Sequence, residues 1–505
     1  MGFSVPIGNP KEDGDFLAWG FSAPVQVAGR RARWCARRCC LFLPVKRGAI
    51  VKLTLNPPGE QRLVVLCEGK EVGRFELRPN EWNTVEVALP ADLPEAEELA
   101  EFTLDFERAY RRVYSGACAA LSEASVEGVE WPAAPEWRPT YKDFNLYFGD
   151  LHFHTDLSEC DRGYSGSLDE NYRFAKERAG LDFASATDHA EHMTEEMWRL
   201  TVEKADEWTE EGKFVAIPAF EWTSELFGHR NVYYLHSEWA MLFDSTDPAT
   251  DSPHKLYRAV RDADERALVV PHHPCQPGFP LPWEDSDPEE ERLVEIFSKW
   301  GSSEFYGNPL QRSEAQFPGG FVLDALAKGF KFGFVGGSDG HALRPGMRGL
   351  TAVWAKRLSR EAIFDALWER RCYATTGAKI RLEFTVGGYL MGREVVVNQY
   401  QAEALYPLEV VVRAVGTAPI VKVEVVENGI VKFSEQFFDP HGFVLKGWPQ
   451  GMGGEQRKFV VARWRVDYPV KLRHLSRYFY ARVYQADGHM AWSSPVFITV
   501  RRDVG

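Results

Sequence analysis

Asp150-Leu151-His152-Phe153-His154-Thr155 follows the apolar run Leu146-Tyr147-Phe148, which reads as a short buried strand. Residues two apart on a strand point to one face. His152 and His154 therefore aim two imidazoles at one point, which is half of a metal site. A single His-x-His pair is most often two surface residues. The rest of the histidine map gives this one weight: ten of the 13 histidines, all but His441, His474 and His489, fall between His152 and His341, and none precedes His152.

From Tyr141 onward, strands alternate with helices. Ser167-Leu168-Asp169-Glu170 is a capping box, and Leu168, Tyr172, Ala175 and Ala179 follow at helical spacing up to Gly180. The strand Leu181 to Ala186 runs into Thr187-Asp188-His189, and a second helix fills Thr194 to Glu211. Lys213 to Ile217 leads to Phe220-Glu221-Trp222, and Asn231 to Leu235 is preceded by Gly228-His229. Ala267 to Pro271 runs into His272-His273-Pro274, Leu293 to Phe297 into Ser298-Lys299-Trp300, and Lys331 to Val335 into Gly336-Gly337-Ser338-Asp339-Gly340-His341. Singly, each residue has an ordinary reading: Asp188 as a helix cap, His229 or His254 as a solvated loop histidine, Glu221 as a buried structural carboxylate. Together they repeat one placement, a metal-binding side chain at a strand's C-terminal end. In an α/β barrel those ends share one mouth, so the pattern predicts a polynuclear metal site.

The flanks differ. Residues 1–140 are β-rich, with short strands around Ile50–Leu55, Arg62–Leu66 and Val72–Leu77 and a hairpin turn at Glu68-Gly69-Lys70. They read as an antiparallel sandwich ending at the proline-rich stretch Trp131 to Pro139. After the helix Arg360 to Arg371, capped by Ser359, residues 380–505 read as a second sandwich, with hairpin turns at Asn428-Gly429 and Asp487-Gly488.

Composition excludes several classes. A net charge of −14 over 505 residues argues against nucleic acid or an anionic membrane as partner. No apolar run reaches the ~18 residues of a membrane helix, and Met1 to Pro6 lacks the basic and apolar regions of a secretory signal. The eight cysteines form no zinc-finger pairs, and Cys35-Ala-Arg-Arg-Cys39-Cys40 reads as ordinary free thiols. A reducing cytoplasm is the expected location.

His152-Phe-His154-Thr155, Thr187-Asp188-His189, Glu221, His272-His273-Pro274 and Ser338-Asp339-Gly340-His341 resemble the motifs of the PHP (polymerase and histidinol phosphatase) superfamily. Glu221-Trp222-Thr223, Gly228 to Tyr233, Val294 to Ser298 and Tyr373 to Gly377 are similar to phrases of its DUF3604 group, related to CehA/McbA-type metallohydrolases. The resemblance covers about residues 141 to 500. It implies a distorted (β/α)7 barrel (residues 141–379) carrying two or three divalent metals. By this resemblance His152, His154, Glu221 and Asp339 hold one metal. Glu221 bridges to a second, held also by His229 and by His272 or His273, and His189 and His341 hold a third. Where the family often has an Asp five residues after the second histidine, this chain has Glu159, followed by Cys160-Asp161, so Glu159 or Asp161 completes the third site.

Imidazole mixed with carboxylate suits Zn, Mn or Fe rather than Mg or Ca. Water between two such ions becomes a nucleophile near neutral pH, so no Ser or Cys nucleophile is required. Arg230 and Arg344 are candidates for gripping an anionic small-molecule substrate, and His192 for donating a proton. Each also has a plain structural reading. The expected function is a metal-dependent hydrolase, first a phosphoesterase. The alternatives are an ester, lactone, amide or carbamate hydrolase and a non-catalytic metal-dependent binding protein.

Overall fold

The computed structural model describes the chain outside residues 1, 9–16, 23–24, 46–47, 68, 90–98, 111–116, 128–142, 159–164, 312–316, 343–344, 399–400, 403–404, 438–458, 468–474 and 502–505. The proline-rich stretch at Trp131 lies outside the described residues. Before it, ten strands form one sheet with antiparallel pairing. Leu63 and Val65, near one end of the strand order, share a core with Val85 and Val87 at the other end. The sheet therefore folds over itself in a sandwich-like way. Gln61–Cys67 and Lys70–Leu77 form the expected hairpin, with Gly69 at φ +78°. Cys35, Cys39 and Cys118 are buried in this core and take part in no disulfide. Burial pushes the Cys118 thiol up to about 12, which disfavours the reactive thiolate.

Residues 143–379 form a nearly closed ring of strands. Asn145–Phe153, Phe183–Ala186 and Val215–Ala216 are parallel neighbours. Leu350–Ala355 and Cys372–Thr375 extend that sheet antiparallel. Gly333–Gly336 packs against Cys372–Thr375 and runs parallel to Leu293–Ser298, which lies beside Leu268–His272. Gly228–Tyr233 and Ala219–Ser224 then return as an antiparallel meander, and the last of these meets Phe183–Ala186. The ring is mixed, and it differs from a (β/α)7 barrel for a reason of chain length. Parallel neighbours need a crossover of about a dozen residues or more, and only Glu225, Leu226 and Phe227 separate Ala219–Ser224 from Gly228–Tyr233.

Two helices are capped as the sequence predicts: Ser167 and Glu170 form the capping box of Leu168–Arg173, and Ser359 caps Arg360–Trp368. Thr194, expected inside the second helix, caps Glu195–Trp208 instead. Among the described residues, no helix is long and apolar enough to cross a membrane.

The barrel sheet continues past residue 380. Cys372–Thr375 pairs with Met490–Ser493, which leads to Leu475–Gln485, Ile420–Glu427 and Ile430–Gln436. A four-stranded sheet that includes Arg381–Val386, Leu408–Val415 and Phe459–Val466 faces it, and Phe384, Val412, Val425, Phe479 and Val483 fill the shared core. Asn428 (φ 48°) and Gly429 (φ 80°) supply the two left-handed residues of a tight hairpin. A buried polar joint fastens these strands to the barrel. Glu304 accepts from Tyr480 (2.5 Å), Arg482 (2.6 Å) and the Trp492 indole (2.8 Å), and Arg482 also reaches Glu424 at 3.1 Å. Removing one partner of a buried ion pair strands the other. Glu304→Ala is therefore expected to cost about 3 to 5 kcal/mol in a urea unfolding titration, and a loss below about 1 kcal/mol would refute the joint.

Candidate metal centre

Period-two alternation divides the barrel interior into a greasy floor and a polar mouth. Ala219, Tyr233, Leu268, Val270 and Leu293 share one apolar cluster. Further along the same strand faces stand Glu221, Asn231 and His229, His272, and Glu295. The antiparallel register sets His229 opposite His272. His152 and His154 enter from the first strand, where the register shifts between Asp150 and Phe153. His189 is laid against Glu221 by an isolated bridge, with Glu221 N donating to Asp188 O at 2.9 Å.

Strand ends complete the set. His273 (φ 34°) and Asp339 (φ 47°) take left-handed backbone, a conformation that non-glycine residues adopt mainly at constrained sites. Asp150 ties the Asp339 loop to the first strand, accepting from the backbone N–H of Ser338 (3.0 Å) and Gly346 (2.6 Å). Gly337 permits the approach: a Cβ there would meet His152 Cβ at 2.5 Å and Glu295 Oε2 at 2.6 Å.

Among the described residues the donors form four overlapping groups, each with its ligand atoms within 4.8 Å of one another: Glu221 with His229, His272 and His273; His152 with His154 and Glu221; His152 with His272 and Asp339; and His154 with His189 and His341. Glu221 is the hub. Its Oε2 lies 3.3 Å from His152 Nε2 and 3.2 Å from His154 Nε2; its Oε1 lies 2.7 Å from His229 Nδ1, 3.3 Å from His272 Nε2 and 3.4 Å from His189 Nδ1. His272 and His273 both enter the cluster, so the alternative left open by the sequence resolves to two candidate donors rather than one.

These donors fit divalent metal ions. His154 Nε2, both nitrogens of His229 and of His272, and His273 Nδ1 are buried without a hydrogen-bond partner. His229 Nδ1 comes within 2.7 Å of Glu221 yet is not aligned for a hydrogen bond. Buried polar atoms are rarely left so, and several converging on one carboxylate is the arrangement an ion satisfies. Behind them stand orienting groups. His152 Nδ1 meets Glu295 Oε2 at 2.8 Å, His154 Nδ1 meets Ser158 Oγ at 3.0 Å, and His189 Nδ1 meets Thr223 Oγ1 at 2.8 Å.

Burial sets the protonation. It pushes His189 down to about 3, and His272 and His341 to about 4, so these imidazoles are neutral donors. At His154 burial is outweighed by Asp339 and Glu221, which raise it to about 8, and Glu295 and Asp339 likewise hold His152 well above its ordinary value. Burial also opposes charge on Glu221 and Asp339. The imidazoles around Glu221, His189 first, and His152 and Lys299 near Asp339 outweigh it and hold both carboxyls well below the usual range.

Other expectations fare differently. Asp161, its alternative Glu159, and Arg344 lie outside the described residues. Arg230 is corrected. It follows His229 on a strand and so points to the opposite face. There it is fully buried beneath the helix Pro253–Ala263, donating to Glu291 (2.7 Å), Ser286 (2.9 Å) and the Phe227 carbonyl (2.8 Å) and lying over Trp222 and Tyr257. No substrate reaches it. His192 is exposed, its ring 5.7 Å from His189 and its Nδ1 2.5 Å from Ser158 O, and it joins none of the donor groups. Glu295 and Lys299 were missed as site residues. Glu295 had a signal, a carboxylate at an inward position of the apolar run Leu293 to Phe297.

A model of the family "Protein of unknown function (DUF3604)" matches residues 176–277 and 342–410; the first segment contains His189, Glu221, His229, His272 and His273. An uncharacterized protein of Chlamydia pneumoniae is 27% identical over 385 residues, and one of Chlamydia trachomatis serovar D is 26% identical over 393; each match covers 70% of this chain. The chain spans 57% of the length of these curated relatives. Among solved structures, it resembles a two-domain protein containing a predicted PHP-like metal-dependent phosphoesterase from Bacteroides vulgatus ATCC 8482 (14% identity, 72% of this chain, 97% of that one, TM-score 0.34). It also resembles PsfC from Pseudomonas syringae PB-5123 (15% identity, 41% of this chain, 82% of that one, TM-score 0.29).

The overlapping groups predict at least two transition-metal equivalents per chain after metal supplementation, and elemental analysis returning one or fewer would refute the cluster. His152 and His154 carry protons that ligation must displace, so metal uptake should release protons. Affinity should therefore tighten from about pH 6 to about pH 8. Calorimetry in buffers of differing ionisation enthalpy measures the release; proton uptake, or tighter binding at the lower pH, would contradict the protonation described here.

Proposed function

We propose that this chain is a metal-dependent hydrolase acting first on phosphoesters. What carries the reading is the hub: one buried carboxylate, Glu221, shared by two donor groups and ringed by unpartnered imidazole nitrogens. Divalent transition ions held there supply Lewis acidity, lowering the pKa of water and taking up charge that develops on the scissile group. Glu221 and Asp339, both ionised, are the carboxylates that would hold the cations. His152, His154, His189, His229, His272, His273 and His341 offer nitrogen donors of the borderline softness that suits Zn, Mn or Fe. The apolar floor beneath them excludes bulk water and strengthens every charge interaction above it. His192, exposed beside His189, is the residue of this reading placed to exchange protons with solvent.

Glu221→Gln keeps the shape and removes the shared charge. Turnover of whichever chromogen the metal-loaded protein hydrolyses is expected to fall at least about 100-fold, the scale for damaging a metal-activated nucleophile. Near-normal turnover would move the site elsewhere. Phosphomonoester, phosphodiester and carboxyl-ester chromogens decide the bond: hydrolysis confined to the carboxyl ester would replace the phosphoester reading with acyl chemistry, and inactivity on all three at full metal loading would favour a binding protein.

A further inference from the structure

Two aromatic rings stand against the imidazoles. Among the described residues, Phe279 and Trp300 are the non-histidine rings in contact with the candidate donors. Phe279 lies 4.5 Å from His229 and 6.3 Å from His273, centroid to centroid, and Trp300 lies 5.9 Å from His273. The two make no ring contact with each other. Both are half-buried, whereas the core tryptophans Trp222 and Trp283 are 0% and 2% exposed. Both border the group of Glu221, His229, His272 and His273, and neither makes a ring contact with His154 or His341.

The backbone holds each ring in place. Phe279 is carried by the segment after His273, where turns close on themselves: Gln276 N donates to His273 O (3.0 Å), Phe279 N to Gln276 O (3.2 Å) and Leu281 N to Pro274 O (3.3 Å). Lys299 and Trp300 are the two loop residues of a hairpin between Leu293–Ser298 and Gly301–Ser302, with Ser298 paired to Gly301. The Lys299 ammonium lies 5.1 Å from the centre of the Trp300 ring. Both segments follow strands that end at the donors, Leu268–His272 and Leu293–Ser298, so both rings stand at the rim of the centre. Apolar surface left in water favours an apolar partner, and at this rim the partner is what the centre binds.

We propose that Phe279 and Trp300 form the specificity subsite of this centre and receive an aryl group attached to the scissile bond of the substrate. The inference rests on the reading above for hydrolysis at this centre, not for which bond is cleaved. An aryl group meets two such rings in edge-to-face or offset contact, which a saturated ring of the same size does not reproduce. Neither ring carries a charge, so the pair selects the organic part of the substrate and leaves the scissile group to the donors beside it. Because both rings border the Glu221, His229, His272 and His273 group, the aryl group enters on that side of the cluster.

The test is calorimetry on the metal-loaded full chain with phenylphosphonate, cyclohexylphosphonate and methylphosphonate, for wild type, Phe279→Leu and Trp300→Leu, with metal content and thermal midpoint measured alongside. Wild type should bind phenylphosphonate at least about ten-fold more tightly than methylphosphonate, the scale of burying a ring. It should bind it at least about three-fold more tightly than cyclohexylphosphonate. Each leucine variant should lose about two- to ten-fold in phenylphosphonate affinity and keep its methylphosphonate affinity, metal equivalents and midpoint. Phenylphosphonate binding no tighter than either control would overturn the proposal, as would an aryl preference that either substitution leaves intact. Equal weakening of methylphosphonate, or loss of metal or midpoint in both variants, would make the rings braces of His229 and His273 and overturn it too; such a loss in one variant leaves the other to decide. If no phosphonate binds, benzoate, cyclohexanecarboxylate and acetate take their place. A ring-dependent preference for benzoate then keeps the inference and counts against the phosphoester, and no binding in either series overturns the inference. Phosphoester turnover without an aryl preference leaves the hydrolase standing and sinks the subsite.

Discussion

A buried carboxylate must be compensated, and Glu221 is 1% exposed. Taking a charge that far from water costs several kcal/mol unless partners surround it. Here the partners are imidazoles from four separate stretches of chain: His152 and His154, His189, His229, His272 and His273, with His341 from a fifth stretch one ring further out, its centroid 4.1 Å from that of His154. Each stretch must be held in register for the charge to be tolerated. The tight turn at Glu225–Phe227, the bridge from His189 to Glu221 and the strand pairing of His229 with His272 are all ways of delivering an imidazole to that one carboxylate. Without a cation among them the arrangement is poorly satisfied, and the unpartnered nitrogens record it.

Two candidate ligands stand where regular structure has ended. A left-handed non-glycine residue costs on the order of 1 to 3 kcal/mol, and the chain accepts that at both His273 and Asp339. The geometric reason is visible at His273. His272 ends its strand pointing inward, and the next residue in extended backbone would point outward. The left-handed turn brings the His273 ring to 4.3 Å from that of His272 and 4.8 Å from that of His229. Strain therefore supplies a second inward donor that alternation would have denied.

The same alternation marks what the sequence could reveal. The strand ends, the hairpins at Gly69 and Gly429, the helix caps and the metal-binding character of the histidine set were legible, because period-two patterning, turn glycines and capping serines are local. Arg230 escaped the same rule because the sequence read the strand as starting at Asn231; with Gly228–Tyr233 as the strand, Arg230 next to His229 faces away. The (β/α)7 expectation came from likeness, and the sequence did not exclude it: strands read at Lys213–Ile217 and Asn231–Leu235 leave 13 residues between them, enough for a crossover, and only the structure shows the hairpin Ala219–Ser224 to Gly228–Tyr233 in that interval. Glu295 and Lys299 were harder. Their roles depend on Leu293–Ser298 lying beside Gly333–Gly336 and Leu268–His272, pairings of distant segments that no local pattern specifies.

The hydroxyls behind the cluster settle which nitrogen each first-strand histidine offers. Ser158 has one hydrogen, and Asp188 Oδ1, at 2.6 Å, takes it. Toward His154 Nδ1, 3.0 Å away, the serine oxygen must therefore accept. Once ligation displaces the second proton, the remaining His154 hydrogen is held on Nδ1, and Nε2, buried and unpartnered, would offer its lone pair to a cation. Glu295 does the same for His152 by accepting from Nδ1 at 2.8 Å, which leaves Nε2 toward Glu221 and Asp339. Asp188 also accepts from the backbone N–H and the hydroxyl of Thr155, both at 2.7 Å. One carboxylate thus holds the end of the first strand and, through Ser158, the tautomer of the ligand it carries. The Thr187-Asp188-His189 loop therefore contributes twice, placing His189 as a donor and orienting His154 from behind.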